Sequence, residues 1–117
     1  MAVPTPEQLV LAVKQFLETD VLPKLEHRMA FHLRVAANVL AIVARDLSQS
    51  PEKTEAEAYS CLLQTASDFP AQDVCTALRE GTLTETSEGL LEALLAASIA
   101  RVAVDNPKYS TLLRLQV

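Results

Sequence analysis

Chemistry in this chain of 117 residues would have to come from a short set of side chains. His27 and His32 are five residues apart, about 140° round a helix, so they cannot share a metal ion as an i, i+4 pair would. No metal is expected. His32 falls within the main apolar face of its helix and reads as a buried, hydrogen-bonded histidine. Cys61 and Cys75 sit in apolar helical patterns with no second thiol or histidine beside them, which predicts buried, reduced thiols. Gly81 and Gly89 are the only glycines, which excludes a glycine-rich phosphate loop. The carboxylate pairs Glu55/Glu57 and Glu85/Glu88 lie in acidic segments where charge is solvated and proton affinity is poorly tuned. No nucleophile, base and oxyanion-donor set can be assembled. No catalytic residue is therefore assigned, no cofactor is implied, and the chain is not expected to be an enzyme.

The best candidate for function is a polar seam on one helix, made of Arg34, Asn38 and Arg45. Arg34 and Asn38 are one turn apart and can grip a carboxylate or phosphate together; Arg45 lies roughly 16 Å along the axis from Arg34 and requires a long ligand. The competing reading, preferred here, is structural: Arg34 or Asn38 bonds Asp105 or the carbonyls near Asn106 and pins the C-terminal tail. His32, Asp105, Asn106 and Tyr109 complete the candidate set under one reading or the other.

Periodicity supplies the elements that must carry these residues. Thr5-Pro6-Glu7-Gln8 announces a helix over about 6–20, with Thr5 capping, Pro6 at the first turn and Gln8 closing a capping box; Leu9, Val13, Phe16 and Leu17 share its apolar face. Pro23 ends it or bends the chain into the next helix, about 23–48. There Leu25, Met29, Leu33, Ala36, Leu40, Val43 and Leu47 form the main stripe, widened by Val39, Val35, Ile42 and Phe31, while Ala30, Ala37 and Ala41 flank the polar seam and invite a close neighbour. Ser50-Pro51 starts an acidic helix over 51–67 with Tyr59, Leu62 and Leu63 inward. A helix over 70–80 turns Val74, Cys75 and Leu78 inward and stops at Gly81. The last helix, about 87–104, has Leu90, Leu91, Leu94, Leu95, Ser98, Ile99 and Val102 on one side and Ala93, Ala96, Ala97, Ala100 and Ala103 on the other. Asp105-Asn106-Pro107 stops it, leaving Tyr109, Leu112, Leu113, Leu115 and Val117 as an apolar tail that must dock.

These elements predict an all-α fold: one domain over 1–117, a compact bundle of about five helices with the tail docked on it. The two most apolar helices, 23–48 and 87–104, are expected at its centre. Half the residues are apolar and mean hydropathy is +0.18, normal for a packed fold. The net charge of −5 argues against nucleic acid and against an acidic membrane surface. Charge is uneven: residues 1–48 balance five basic against five acidic side chains, whereas 49–100 carry nine acids against Lys53 and Arg79. The longest apolar stretch, Val35 to Ala44, is about half of what a membrane span needs. The opening MAVPTPEQ has no basic region or apolar run of a secretory signal, so a cytoplasmic location is expected.

At Phe31-His32-Leu33-Arg34-Val35-Ala36-Ala37-Asn38-Val39-Leu40, with Arg45 following, and again at Val104-Asp105-Asn106-Pro107-Lys108-Tyr109, the chain resembles a family of small bacterial domains of unknown function. The resemblance also takes in the opening pattern from Leu9 to Leu22. It implies an all-helical accessory protein, standing alone or attached to phosphotransferase-like kinases and encoded near acyl-CoA dehydrogenases. His32, Arg34, Asn38, Arg45, Asp105, Asn106, Pro107 and Tyr109 match its motif positions, where they have no assigned role. The expected function is a protein-interaction module, partnered by itself as a homodimer or by a kinase-like protein; the alternative is a protein holding an anionic acyl or phosphorylated metabolite at Arg34, Asn38 and Arg45.

Overall fold

A computed structural model describes residues 3–115. The described residues are 78% helical and hold no strand, so the all-α reading stands. None of their helices is long and apolar enough to cross a membrane. The chain divides after Gln49 into two compact units.

The first unit is a helical hairpin. Helix α1 (Pro6–Phe16) opens on the predicted capping box: the Gln8 amide donates to Thr5 Oγ1 at 3.2 Å, and the Thr5 amide donates to Gln8 Oε1 at 2.9 Å. The helix does not run on in α geometry to residue 20. It widens into a π-turn over Leu17–Val21, where the Leu22 amide reaches back to the Leu17 carbonyl, and then tightens into a 3-10 turn over Leu22–Lys24. The causes are local. Thr19 Oγ1 donates back to the Gln15 carbonyl, and Pro23 has no N–H with which to continue an i, i−4 ladder. Leu25 is extended (φ −107°, ψ 152°), and the chain enters α2 (His27–Gln49) through His27 at φ +53°. The second helix therefore starts four residues later than expected from Pro23.

The helices α1 and α2 run antiparallel, since Thr5, Pro6 and Glu7 share a surface hollow with Leu47 and Ser48, while Lys14, Glu18 and Leu22 share another with Arg34, Asn38 and Ala41. The buried residues of α2 are Ala30, Ala37 and Ala44, spaced by seven along one line. The neighbour expected against its alanines is α1. The expectation that the large aliphatic side chains of α2 fill a core is overturned: Met29, Val35, Val39, Val43 and Leu47 are 41–60% exposed. Methyl side chains let two backbones approach closely, and larger groups at neighbouring angles are then lifted off the line of contact.

The second unit comprises α3 (Pro51–Leu63), α4 (Pro70–Glu80), α5 (Leu90–Asp105) and α6 (Ser110–Leu115). Helix α5 packs mainly on α3, α4 packs on α3, and α6 folds back onto α5. Pro51, Val74, Leu90, Ala93, Ala97, Val104 and Leu112 are buried. On α5 alanines again make the seam, while Leu91, Leu94 and Leu95 stay exposed, against expectation. Val74 points inward as predicted but Cys75 and Leu78 do not. Tyr59, Leu62 and Leu63 are half-buried.

Helix ends differ from expectation wherever a polar residue is used by the next element. Helix α3 stops at Leu63 because Gln64 turns left-handed (φ +59°) and donates its amide to the Cys61 and Ser60 carbonyls. Ser67, expected inside that helix, accepts from the Phe69 amide at 3.1 Å and donates to the Asp73 carboxylate, bracing the start of α4. Ser50 precedes Pro51 as predicted, but its left-handed backbone (φ +48°) leaves its hydroxyl out of the cap. Helix α4 spans 70–80 and ends on left-handed Gly81, both as read from the sequence. Ser87 accepts from the Thr84 amide in a turn, so α5 begins only after Gly89. The tail docks through Leu112, with Tyr109, Leu113 and Leu115 exposed; Val117 lies outside the described residues.

Candidate functional site

The polar side of the hairpin is built by three elements. Lys14 on α1 and Glu18 in the π-turn are one turn apart and paired, Nζ to Oε1 at 2.9 Å. Arg34 and Asn38 stand one turn apart on α2, facing them. Leu22 and Ala41 close the ends of a cleft of about 370 Å³. The π-turn carries Glu18 and leads directly into Leu22, so the insertion that interrupts α1 shapes one wall, a place where such insertions often mark function.

Arg34 is exposed and, among the described residues, has neither a hydrogen bond nor an ion pair. With Glu18 taken up by Lys14, the cleft keeps one surplus positive charge at the Arg34 guanidinium, beside the Asn38 amide. A planar guanidinium offers paired N–H donors to a carboxylate or phosphate, and an amide one turn away can donate to a further oxygen.

Arg45 continues the seam two turns past Asn38 but does not line the cleft; it is half-buried and engaged elsewhere. His32 is exposed rather than buried, its ring edge-on to Phe31 at 5.7 Å. The turn from α2's apolar stripe to solvent carries His32 with it, because the alanine line, not the stripe, faces α1.

The other candidate residues belong to the second unit. Asp105 ends α5, and Asn106 caps it by donating its amide to the Val102 carbonyl at 2.7 Å. The Tyr109 amide donates to the Asn106 carbonyl at 3.1 Å, and the Tyr109 carbonyl accepts from Leu113 at 3.1 Å. The Asp-Asn-Pro-Lys-Tyr stretch is thus the corner that turns α5 into α6. The Tyr109 ring borders a small apolar cavity of about 150 Å³ with Val102 and Leu112.

A larger hollow of about 530 Å³ lies between α3 and α5, lined by Cys61, Leu62, Gln64, Glu88 and Glu92 together with alanines and Gly89. Cys61 and Cys75 are both exposed, contrary to the expectation of buried thiols. Alanine packing again draws in Ala93 and Ala97 and leaves Cys61 at the rim, while Cys75 lies on the outer side of α4. No cation lines this hollow, so nothing there would activate a thiol or hold an anion. Among the described residues, no three His, Cys, Asp or Glu side chains gather as metal ligands.

Sequence reasoning missed Lys14 and Glu18. The available signal was their i, i+4 spacing on the polar side of the first helix; what placed them opposite Arg34 was the packing of α1 on the alanine line.

A family described as a domain of unknown function, DUF6285, matches residues 23–109. The chain belongs to the DUF6285 family. The DUF6285 stretch begins at Pro23 and closes at Tyr109, so it contains both motifs on which the resemblance rested, with Arg34, Asn38 and the α5–α6 corner. The 9–22 pattern, and with it Lys14 and Glu18, precedes that stretch. No curated protein and no solved structure matches the chain.

Proposed function

We propose that this domain is a bacterial, cytoplasmic protein-interaction module that docks a partner through the apolar face of its first unit, the partner being a phosphotransferase-like kinase or another copy of itself. One observation carries the reading. The α1–α2 seam is closed by three alanines, while Leu9, Val13 and Phe16 on α1 and Met29, Val43 and Leu47 on α2 are 41–60% exposed. At 100° per residue these six lie on the side of the hairpin opposite the Lys14–Arg34 cleft. An apolar patch spanning two helices is the kind of surface that marks a partner site. The resemblance to kinase-associated domains supports the kinase as the partner to try first.

The test is co-elution of the purified chain with a phosphotransferase-like kinase of the same organism, together with the mass of each species by light scattering. A complex that is lost in Val43→Asp, with helicity retained, is the expected result. A chain that is monomeric alone and never co-elutes with the kinase overturns the reading.

A second reading is supported by the cleft itself, because Arg34 has no partner there and Asn38 stands beside it. In that reading the domain holds an anionic acyl or phosphorylated metabolite. Titration with inorganic phosphate and with a short acyl-CoA, followed by calorimetry, tests it. Arg34→Ala should abolish binding and leave thermal stability nearly intact; a large loss of stability would instead mark Arg34 as a tail-pinning residue.

A further inference from the structure

Helix α2 carries three rows along its length. Ala30, Ala37 and Ala44 face α1. Next to them runs the stripe Met29, Leu33, Ala36, Leu40, Val43 and Leu47, and beyond it the row His32, Val39 and Asp46. The stripe steps by 4, 3, 4, 3 and 4 residues, the alternation of a coiled-coil seam, and all six members fall within about 80° of the helix circumference. Met29, Val43 and Leu47 are more than two-fifths exposed, Ala36 is exposed, and Leu33 and Leu40 are half-buried.

That series of steps reads the same in both directions. The geometry points to a second copy of the chain as the occupant of this face, with the two α2 helices antiparallel about a two-fold axis level with residue 38. This inference rests on the interaction reading and names its partner. In this register Met29 meets Leu47, Leu33 meets Val43 and Ala36 meets Leu40, so the two smallest members, Ala36 and Val43, each face a leucine. Parallel pairing would instead set Ala36 against Ala36 and leave a void between leucine layers.

The outer rows select the same direction. In an antiparallel pair they face each other and set Val39 against Val39 at the axis, whereas a parallel pair sets Val39 beside the alanine row that faces α1. Leu9, Val13 and Phe16 extend the face on α1, so two hairpins make a four-helix bundle. Together these side chains cover on the order of 1,000 Å² in total, at the lower bound for a biological interface.

The experiment uses the full chain with Cys61→Ser and Cys75→Ser, since both native thiols are exposed. The starting protein should sediment at twice the chain mass of 12.7 kDa. Val39→Cys should then form a disulfide-linked dimer under mild oxidation. Met29→Cys alone should not, because its two copies would lie about 27 Å apart, but a mixture of Met29→Cys with Leu47→Cys should cross-link. A dimer that cross-links through Met29→Cys alone, or through none of these positions, overturns the antiparallel pairing. A strictly monomeric chain overturns self-pairing altogether, while the interaction reading then stands or falls on co-elution with the kinase-like partner.

Discussion

Lys14 and Glu18 hold each other at 2.9 Å across the joint where α1 gives way to the π-turn, and the pair lines the same cleft as Arg34. An exposed i, i+4 ion pair contributes at most about 0.5 kcal/mol. Its larger effect is on charge in the cleft, where the carboxylate offsets one of two cations. Glu18→Gln should therefore leave thermal stability almost unchanged and tighten phosphate binding several-fold, with the gain shrinking as salt is raised. Unchanged affinity alongside unchanged stability would separate the cleft from anion binding.

The alanine line sets the second expectation. Ala37 is buried against α1, whereas Ala12 on α1 is exposed. Ala37→Leu forces extra methylenes into the contact between two helices and should destabilise the protein by about 1–3 kcal/mol in denaturant unfolding. Ala12→Leu should change stability by less than about 0.5 kcal/mol. Equal effects at the two positions would mean that α1 does not rest on the alanines.

These contrasts show what could be read from the residues alone. The capping box at Thr5 and Gln8 was legible because its chemistry is local, as was Gly81 at the end of α4. Helix existence was legible from periodicity throughout. Which side of a helix turns inward was not: α2 and α5 have both an alanine line and a leucine-rich stripe, and periodicity cannot rank close approach against bulk burial. The π-turn was hidden because neither of its causes, the Thr19 hydroxyl bonding back to Gln15 and Pro23 acting on the preceding turn, interrupts the helical pattern of Leu17 to Val21. Arg34 and Asn38 were legible as a pair one turn apart. Their meeting with Lys14 and Glu18 depends on tertiary packing that no local pattern encodes.

Backbone strain offers a third expectation. Gln64 and Gly81 both close a helix in the left-handed region, at φ +59° and +84°. Only glycine adopts that region without steric cost, which for other residues is roughly 1–2 kcal/mol. A Cβ at Gly81 would meet nothing within 4 Å, so Gly81→Ala tests the backbone term alone. It should lower stability by about 1 kcal/mol, and Gln64→Gly should raise it by a smaller amount because the unfolded chain also gains freedom. A stabilising Gly81→Ala would contradict the left-handed cap.

Tyr59 couples the stability of the fold to alkaline pH. Burial raises its phenol above the ordinary value of 10.0, and the Glu55 carboxylate one turn earlier and Cys75 on α4 add to the shift. Because the folded state holds this proton more tightly than the unfolded chain does, the associated stability is complete below the ordinary value and drains away as pH rises through the folded one. Tyr59→Phe has no proton to lose, so its stability should fall less steeply than that of the wild type as pH rises above 10.0. The chain has only two tyrosines, so in Tyr109→Phe the tyrosinate absorbance reports Tyr59 alone. Its titration midpoint should lie above that of unfolded chain, and adding Glu55→Gln should bring it part of the way down. A midpoint that ignores Glu55 would place the phenol out of reach of that carboxylate.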